Sequence, residues 1–235
     1  MMSNFPDTIK SAIGLIYNLD SGLMEIIALS LKVSLSAVFI ASIIGLPLGA
    51  AVALFSFRGR KVIVIFLNAL MGLPPVVVGL VVYLLISRSG PLGVLNLLFT
   101  YKAMILAQVI LITPIIAALS RQVIEDLWLE YEDQLRSLGA TPATALPTLI
   151  WDGRFSLITA VLAGFGRASA EVGAVMIVGG NIEHVTRVMT TAIALEVSKG
   201  DLSLALGLGF ILLILSILVN CAVYLVKELA ERHHG

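Results

Sequence analysis

The chain has one cysteine and three histidines in 235 residues, and charge is scarce: 15 basic and 15 acidic side chains, 13% of the total, leave no net charge. Each shortage excludes something. A lone Cys221 forms no intrachain disulfide, and in its apolar run it is expected as a small buried hydrophobe. Balanced charge recommends neither a nucleic-acid partner nor a polyanionic surface. His184 falls in a loop and His233 and His234 in the tail, so no histidine stands within an apolar run to serve an intramembrane enzyme, and no metal site is expected. No Gly-x-x-x-x-Gly-Lys-Ser/Thr loop occurs, which leaves the chain without a phosphate cradle of its own. Residues 1–20, MMSNFPDTIKSAIGLIYNLD, lack the basic leader and small-residue cleavage site of a signal peptide, and this segment is expected to stay in the mature chain. Internal repeats, low-complexity tracts and a soluble domain are missing too.

What fills the chain instead is apolar: 59% hydrophobic residues and a mean hydropathy of +1.04, against a soluble domain's roughly 25% charged content. The expectation is a single all-α integral membrane domain over residues 1–235. Windows long enough to cross about 30 Å of hydrocarbon fall at 29–56, 62–87, 101–120, 155–179 and 204–227, which predicts five spans and termini on opposite sides. Ahead of them, Ile9, Ala12, Ile13, Ile16 and Leu19 recur at helical spacing, as in an amphipathic helix lying on the membrane. Orientation rests mainly on the short link Arg58, Gly59, Arg60, Lys61, which the excess of basic residues in cytoplasmic loops assigns to the cytoplasm. Arg121, Arg136, Arg154, Lys227 and Arg232 then fall on the same side, while Lys10, Lys32, Arg88, Lys102, Arg187 and Lys199 remain outside.

Proline interrupts each of the first three spans, at Pro47, at Pro74 and Pro75, and at Pro114. A helix broken in lipid needs its freed carbonyl satisfied by a neighbour or by water, so these spans are expected to pack together and line a pathway. The last span, GFILLILSILVNCAVYLV, has neither proline nor charge and is expected to face lipid. The connection at 121–154 is long, and its first part has the pattern of an amphipathic helix ended by Gly139, with Pro142 shortly beyond. Glu125, Asp126, Glu130, Glu132 and Asp133 crowd it with negative charge, as suits a surface that meets another protein.

Within that connection, EDQLRSLGA (Glu132 to Ala140) resembles the cytoplasmic coupling loop of type I ABC importer permeases. Gly139 takes the glycine position and Glu132 or Asp133 the acidic one; Gln134 and Leu135 stand where the family carries an alanine pair, and Trp151 and Asp152 where it carries Ile-x-Leu-Pro. Residues 163 to 201, AGFGRASAEVGAVMIVGGNIEHVTRVMTTAIALEVSKGD, are similar to oxyanion permeases. They resemble tungstate permeases more than molybdate or sulfate ones, which tend to carry Phe-Gly-Ala in place of Val172, Gly173 and Ala174. The likeness extends over about 25–230.

It implies a transport subunit, not an enzyme, in the inner membrane; the five spans and the basic loop at Arg58–Lys61 put its N-terminus outside and its C-terminus in the cytoplasm. Two copies would form the pathway for an oxyanion. Two ABC ATPase subunits would consume ATP–Mg, with no cofactor bound by this chain, and would dock at Glu132, Asp133, Gln134, Leu135, Leu138, Gly139 and Ala140. An extracytoplasmic binding protein would meet the turn at Gly180 and Asn181, with His184 and Arg187 beside it. An ion-driven secondary transporter is the competing class; five spans without an inverted repeat weigh against it.

Arg167 and Glu171 stand at membrane depth, where a charge costs at least roughly 2.5–3.5 kcal/mol. On a helix, residues four apart share a face and can pair. Three readings stay open: a buried lock between helices or subunits, an arginine that helps the anion cross or holds the pathway closed at a gate shared with Pro74 and Pro75, or a helix so broken by Gly164 and Gly166 that Arg167 lies near an interface. Gly164, Gly166, Ala168, Ala170, Gly173 and Ala174 supply a stripe of small residues expected to face a second copy or the pore.

Overall fold

The computed structural model describes residues 9–10, 13–14, 17–18 and 20–234, without the side chains of 227 and 229–234. Ala12, Ile16 and Leu19 of the expected amphipathic lead-in lie outside the described residues; 9–10 and 13–14 are helical. The described chain is all helix and connection: α1 Ser21–Leu54, α2 Arg60–Met71, α3 Pro75–Ile86, a single 3-10 turn Gly93–Leu95, α4 Tyr101–Ser137, α5 Pro142–Asp152, α6 Arg154–Ser169, α7 Gly173–Gly179, α8 Met189–Lys199 and α9 Leu202–His234. Three helices (α1, α4 and residues 202–226 of α9) are long and apolar enough to cross a membrane, and up to five spans result if the bent pairs α2 with α3 and α5 with α6 each count as one.

Proline breaks the chain at one of the three expected places. Pro47 and Pro114 lie inside α1 and α4, which continue through them. The reason is tertiary. Gly45 and Gly49 flank Pro47 at the small-xxx-small spacing that lets helices touch and bring α1 onto α4 so closely that a Cβ on Gly49 would lie 2.3 Å from the Ala117 carbonyl oxygen. The Ser120 hydroxyl donates to the Leu46 carbonyl across the same contact (3.2 Å). Only Pro74 and Pro75 end a helix and start the next: Pro75 is the first residue of α3, where the missing N–H costs nothing, and the Pro74 carbonyl accepts from the Val77 and Val78 amides.

The second difference is α4, a single helix of 37 residues where a span and a separate loop were expected. No glycine or proline occurs between Ile115 and Ser137, and Ile124, Trp128, Tyr131 and Leu135 recur at helical spacing to bury one face, so nothing stops the helix at the end of its apolar stretch.

The chain divides into two compact units. The first comprises Met1–Ser36, Pro74–Gln108 and Ala168–Leu218. Leu23, Met189, Ala192 and Leu208 form one core there, joined by Ile26, Ile193 and Leu212. In it α3 meets α7 backbone to backbone, since a Cβ on Gly79 would fall 2.7 Å from the Ala174 Cα. The second comprises Ala37–Leu73, Val109–Arg167 and Val219–Gly235, with a core of Ala50, Ala53, Leu54, Ile124, Trp128, Ala145, Leu149 and Leu157. Here α4 is approached closely from three sides: by α1 at Gly49, by α6 at Gly164 and by the α5–α6 corner at Gly153, whose added Cβ would lie 2.9 Å from Leu127 Cδ1. Arg60 closes the end of α1, its guanidinium donating to the Val52 (2.7 Å) and Ala53 (3.0 Å) carbonyls and to Glu125 on α4 (2.8 Å). Arg121 pairs with the other oxygen of that carboxylate. A cation over the last carbonyls of a helix satisfies them and suits their partial negative charge.

Only 17% of the most apolar window of α9 is buried, and Leu213, Ile214, Ile217 and Leu218 are exposed. Cys221 is on that helix and is exposed, not buried as its apolar setting suggested.

Gly49→Ala is expected to destabilise the protein by about 1–3 kcal/mol, the usual cost of forcing an extra methyl into close packing. Gly209→Ala, in the same kind of apolar helix with nothing within 4 Å of the new atom, should leave the thermal unfolding midpoint in detergent unchanged. Equal midpoints for both would refute the close α1–α4 contact.

Candidate functional site

The residues singled out in the sequence fall in separate places. In the second unit, α4 ends at Ser137 in a left-handed glycine turn. The Ala140 amide donates to the Leu135 carbonyl (2.9 Å) and the Gly139 amide to that of Arg136 (3.0 Å), with Gly139 at φ +79; this is the Schellman arrangement, in which the glycine satisfies the last carbonyls of a helix. Nothing lies within 4 Å of a Cβ added to Gly139. Glycine is therefore required by the backbone and not by crowding.

Thr141 then caps α5: its hydroxyl accepts from the Thr144 amide (3.4 Å) while the Thr144 hydroxyl accepts from the Thr141 amide (2.8 Å), with Pro142 at the first helical position. The turn is thus fixed from both sides. Asp133, Gln134 and Gly139 are exposed, Leu138 is 83% exposed, and Leu135 packs against the core. Glu132 is tied to Arg136 (2.5 Å) and Glu125 to Arg60 and Arg121, so part of the expected acidic surface is neutralised within the chain. Tyr131 bonds Asp152 at the end of α5, and that carboxylate beside it raises the phenol's pKa above its ordinary value.

Arg167 and Glu171 do not share a helix face. α6 stops at Ser169, and Glu171 lies in the break before α7. No proline or helix-terminating loop sequence marks this break; it is held by side chains in the first unit. The Glu171 amide reaches the Ala168 carbonyl (3.3 Å), its Oε1 accepts from the Ala174 amide (3.1 Å), and its carbonyl accepts from the Thr190 hydroxyl (2.8 Å). Glu171 is 4% exposed. The stripe of small residues is used largely inside the chain: Gly164 on Ile112 and Ile116, Gly173 on Val76, Ala174 on Gly79, with only Gly166 among its glycines facing open space.

The turn after α7 is tightly built as well. Gly180 at φ +71 and Asn181 at φ 51 are both left-handed. The buried Thr186 hydroxyl donates to the Gly179 carbonyl (2.6 Å) and accepts from the Ile182 amide (2.9 Å), and Asn181 Nδ2 donates to the Thr191 carbonyl (3.3 Å). Exposed His184 bonds Glu25 on α1, Nδ1 to Oε2, at 2.7 Å. Arg187 pairs with Glu183 (3.2 Å). Residues the sequence reading passed over are the ones that hold these segments: Arg60, taken only as a topology signal, and Ser30, Gln108 and Thr186. Their signal was polarity within or beside an apolar run.

No protein-family profile matches the chain. Among curated proteins it is 42% identical over 203 residues to a probable anion ABC transporter permease of Haloferax volcanii, covering 84% of this chain and 88% of that one. It is 38% identical over 227 residues to the tungstate uptake system permease protein TupB of Peptoclostridium acidaminophilum, covering 97% of this chain and all of the relative. TupB of Campylobacter jejuni matches at 38% over 222 residues, 94% of this chain and 93% of the relative. Sulfate permeases are more distant.

The His184–Glu25 contact gives a pH prediction. The hydrogen bond to Glu25, with its negative charge, raises the His184 pKa above the ordinary 6.5. A raised pKa means that the contact stabilises the fold fully below that ordinary value and loses its contribution as pH rises through the folded one. Following the His184 ring signals by NMR in detergent should give a pKa above 6.5, which returns toward 6.5 in Glu25→Gln. An identical titration in both proteins would show that the contact does not form.

Proposed function

The chain belongs to the oxyanion permeases of ABC importers, and on that premise we propose that it forms the membrane pathway of a tungstate importer. The observation that carries the anion is the near end-to-end match to two tungstate permeases. The chain is a multi-pass transport subunit; in our reading two copies enclose the pathway in the cytoplasmic membrane, N-terminus outside, and an extracytoplasmic binding protein delivers the anion at the turn of Gly180, Asn181 and His184. Energy comes from two partner ATPases that consume ATP–Mg, this chain binding no cofactor.

In our reading the ATPase docks at Glu132–Ala140; what supports this is a turn that is hydrogen-bonded on both sides, exposed, and open around Gly139. Asp133, Gln134 and Leu138 offer the contact surface, while Leu135 anchors it to the core. Because α4 runs unbroken from Tyr101 to Ser137, a push on the turn moves a single rod of about 55 Å at ~1.5 Å per residue. The breaks at Pro74–Pro75 and at 170–172, the latter shortly after Arg167 and containing the buried Glu171, are the places where such a motion can open or close a gate without unwinding a helix.

The test is purification with the partner ATPase from native membranes under mild detergent, beside Gly139→Glu. A side chain there meets nothing within the chain, so the substitution costs the fold only the left-handed strain, roughly 1–2 kcal/mol. The variant is expected to remain folded while it loses ATPase co-purification or tungstate uptake. A native protein that transports without any ATPase would overturn the reading in favour of an ion-driven carrier. For Arg167 and Glu171, a double alanine variant that recovers what each single variant loses assigns them to a lock; uptake lost in all three assigns Arg167 to the anion.

A further inference from the structure

The first unit contains a small polar pocket beside the break at 170–172. Ser30, Ser34, Gln108, Ser169, Glu171 and Thr190 are its polar lining, with Met189 among their apolar neighbours. The centre of a water-sized sphere has about 10 Å³ to occupy there, close to the room one water molecule needs. Gln108 is 3% exposed. Its Nε2 donates to the Ala168 carbonyl (3.1 Å), but its Oε1, buried, accepts from nothing, and the buried Ser169 hydroxyl has no partner either.

Exchanging the two ends of the Gln108 amide does not cure this, because it would set Oε1 against the Ala168 carbonyl, oxygen to oxygen. The Ser30 and Thr190 hydroxyl protons are committed elsewhere: Ser30 donates to the Ile26 carbonyl (2.6 Å) while accepting from the Met189 amide (2.7 Å), and Thr190 donates to the Glu171 carbonyl. Two orphaned polar atoms in one water-sized pocket inside an apolar body are a poor arrangement unless something fills it, since buried polar groups go unpaired at a cost larger than a made bond returns.

We propose that this pocket holds one internal water, which donates to Gln108 Oε1 and bonds the Ser169 hydroxyl. The site joins α4 to the end of α6 beside the break at 170–172. It does not depend on the transport reading. The same oxygens could also hold a small monovalent cation, so the experiment must separate the two.

Radiolytic labelling in ¹⁸O water, read by mass spectrometry on the protein in nanodiscs, makes radicals where a bound water sits, including at buried sites. Met189 lines the pocket and is 3% exposed; Met104, 0% exposed and not among the lining residues, is the internal reference. Met189 should take up ¹⁸O several-fold faster than Met104, and fall to the reference rate in Gln108→Leu and in Ser169→Ala. Equal labelling of the two methionines in the unaltered protein overturns the proposal whether or not either variant folds. An unfolding midpoint that is the same in sodium chloride and choline chloride is expected; a sodium-specific rise overturns the water in favour of a cation.

Discussion

How near α1 comes to α4 decides the second unit. With lipid on the outside there is no hydrophobic drive to push two apolar helices together, so contact must come from fit and from bonds between the helices. Gly45 and Gly49 provide the fit and Ser120 a bond. Once the two rods touch there, both can carry a proline without breaking, and α6 settles against another side of α4 at Gly164. Arg60 completes the arrangement by ending α1 on α4's own carboxylate, so the helix that carries the Gly139 turn is also the one to which α1 is fastened.

The first unit follows a different rule, in which polar side chains shape backbone that is not helical. Glu171 makes the gap between α6 and α7 habitable by accepting the Ala174 amide, and Thr190 and Thr186 serve the carbonyls that the break and the following turn expose. In hydrocarbon such carbonyls would be prohibitive; inside protein they are tolerated because each finds a partner. This is why a buried carboxylate in an apolar run need not be a substrate ligand, and why its contacts must be known before a role is given to it.

The sequence discloses what depends on neighbours along the chain and conceals what depends on neighbours in space. The all-helical membrane class, the start of α3 at Pro75 and the end of α4 before Gly139 were all legible, since each rests on local propensity, a fixed φ or a left-handed turn. The continuity of α1 through Pro47 was not, because glycines packed on another helix override the proline. Nor was the break at 170–172, where an Ala-Glu-Val sequence with no local stop signal is held open by Thr190 from a distant segment. The geometry of the candidate site was not legible: Arg167 and Glu171 were expected on one helix, and the chain ends that helix between them.

One consequence of the unbroken α4 concerns depth. Between Lys102 and Arg121 the helix carries no charge, and residues 103–120 at ~1.5 Å each measure about 27 Å, close to the hydrocarbon thickness of a bilayer. Both charged ends belong to the same stiff rod, so neither can slip inward without dragging the other out. The helix therefore works as a ruler that fixes how deep the protein sits. A thicker or thinner bilayer has to be met by changing its tilt, because the protein cannot slide along the membrane normal.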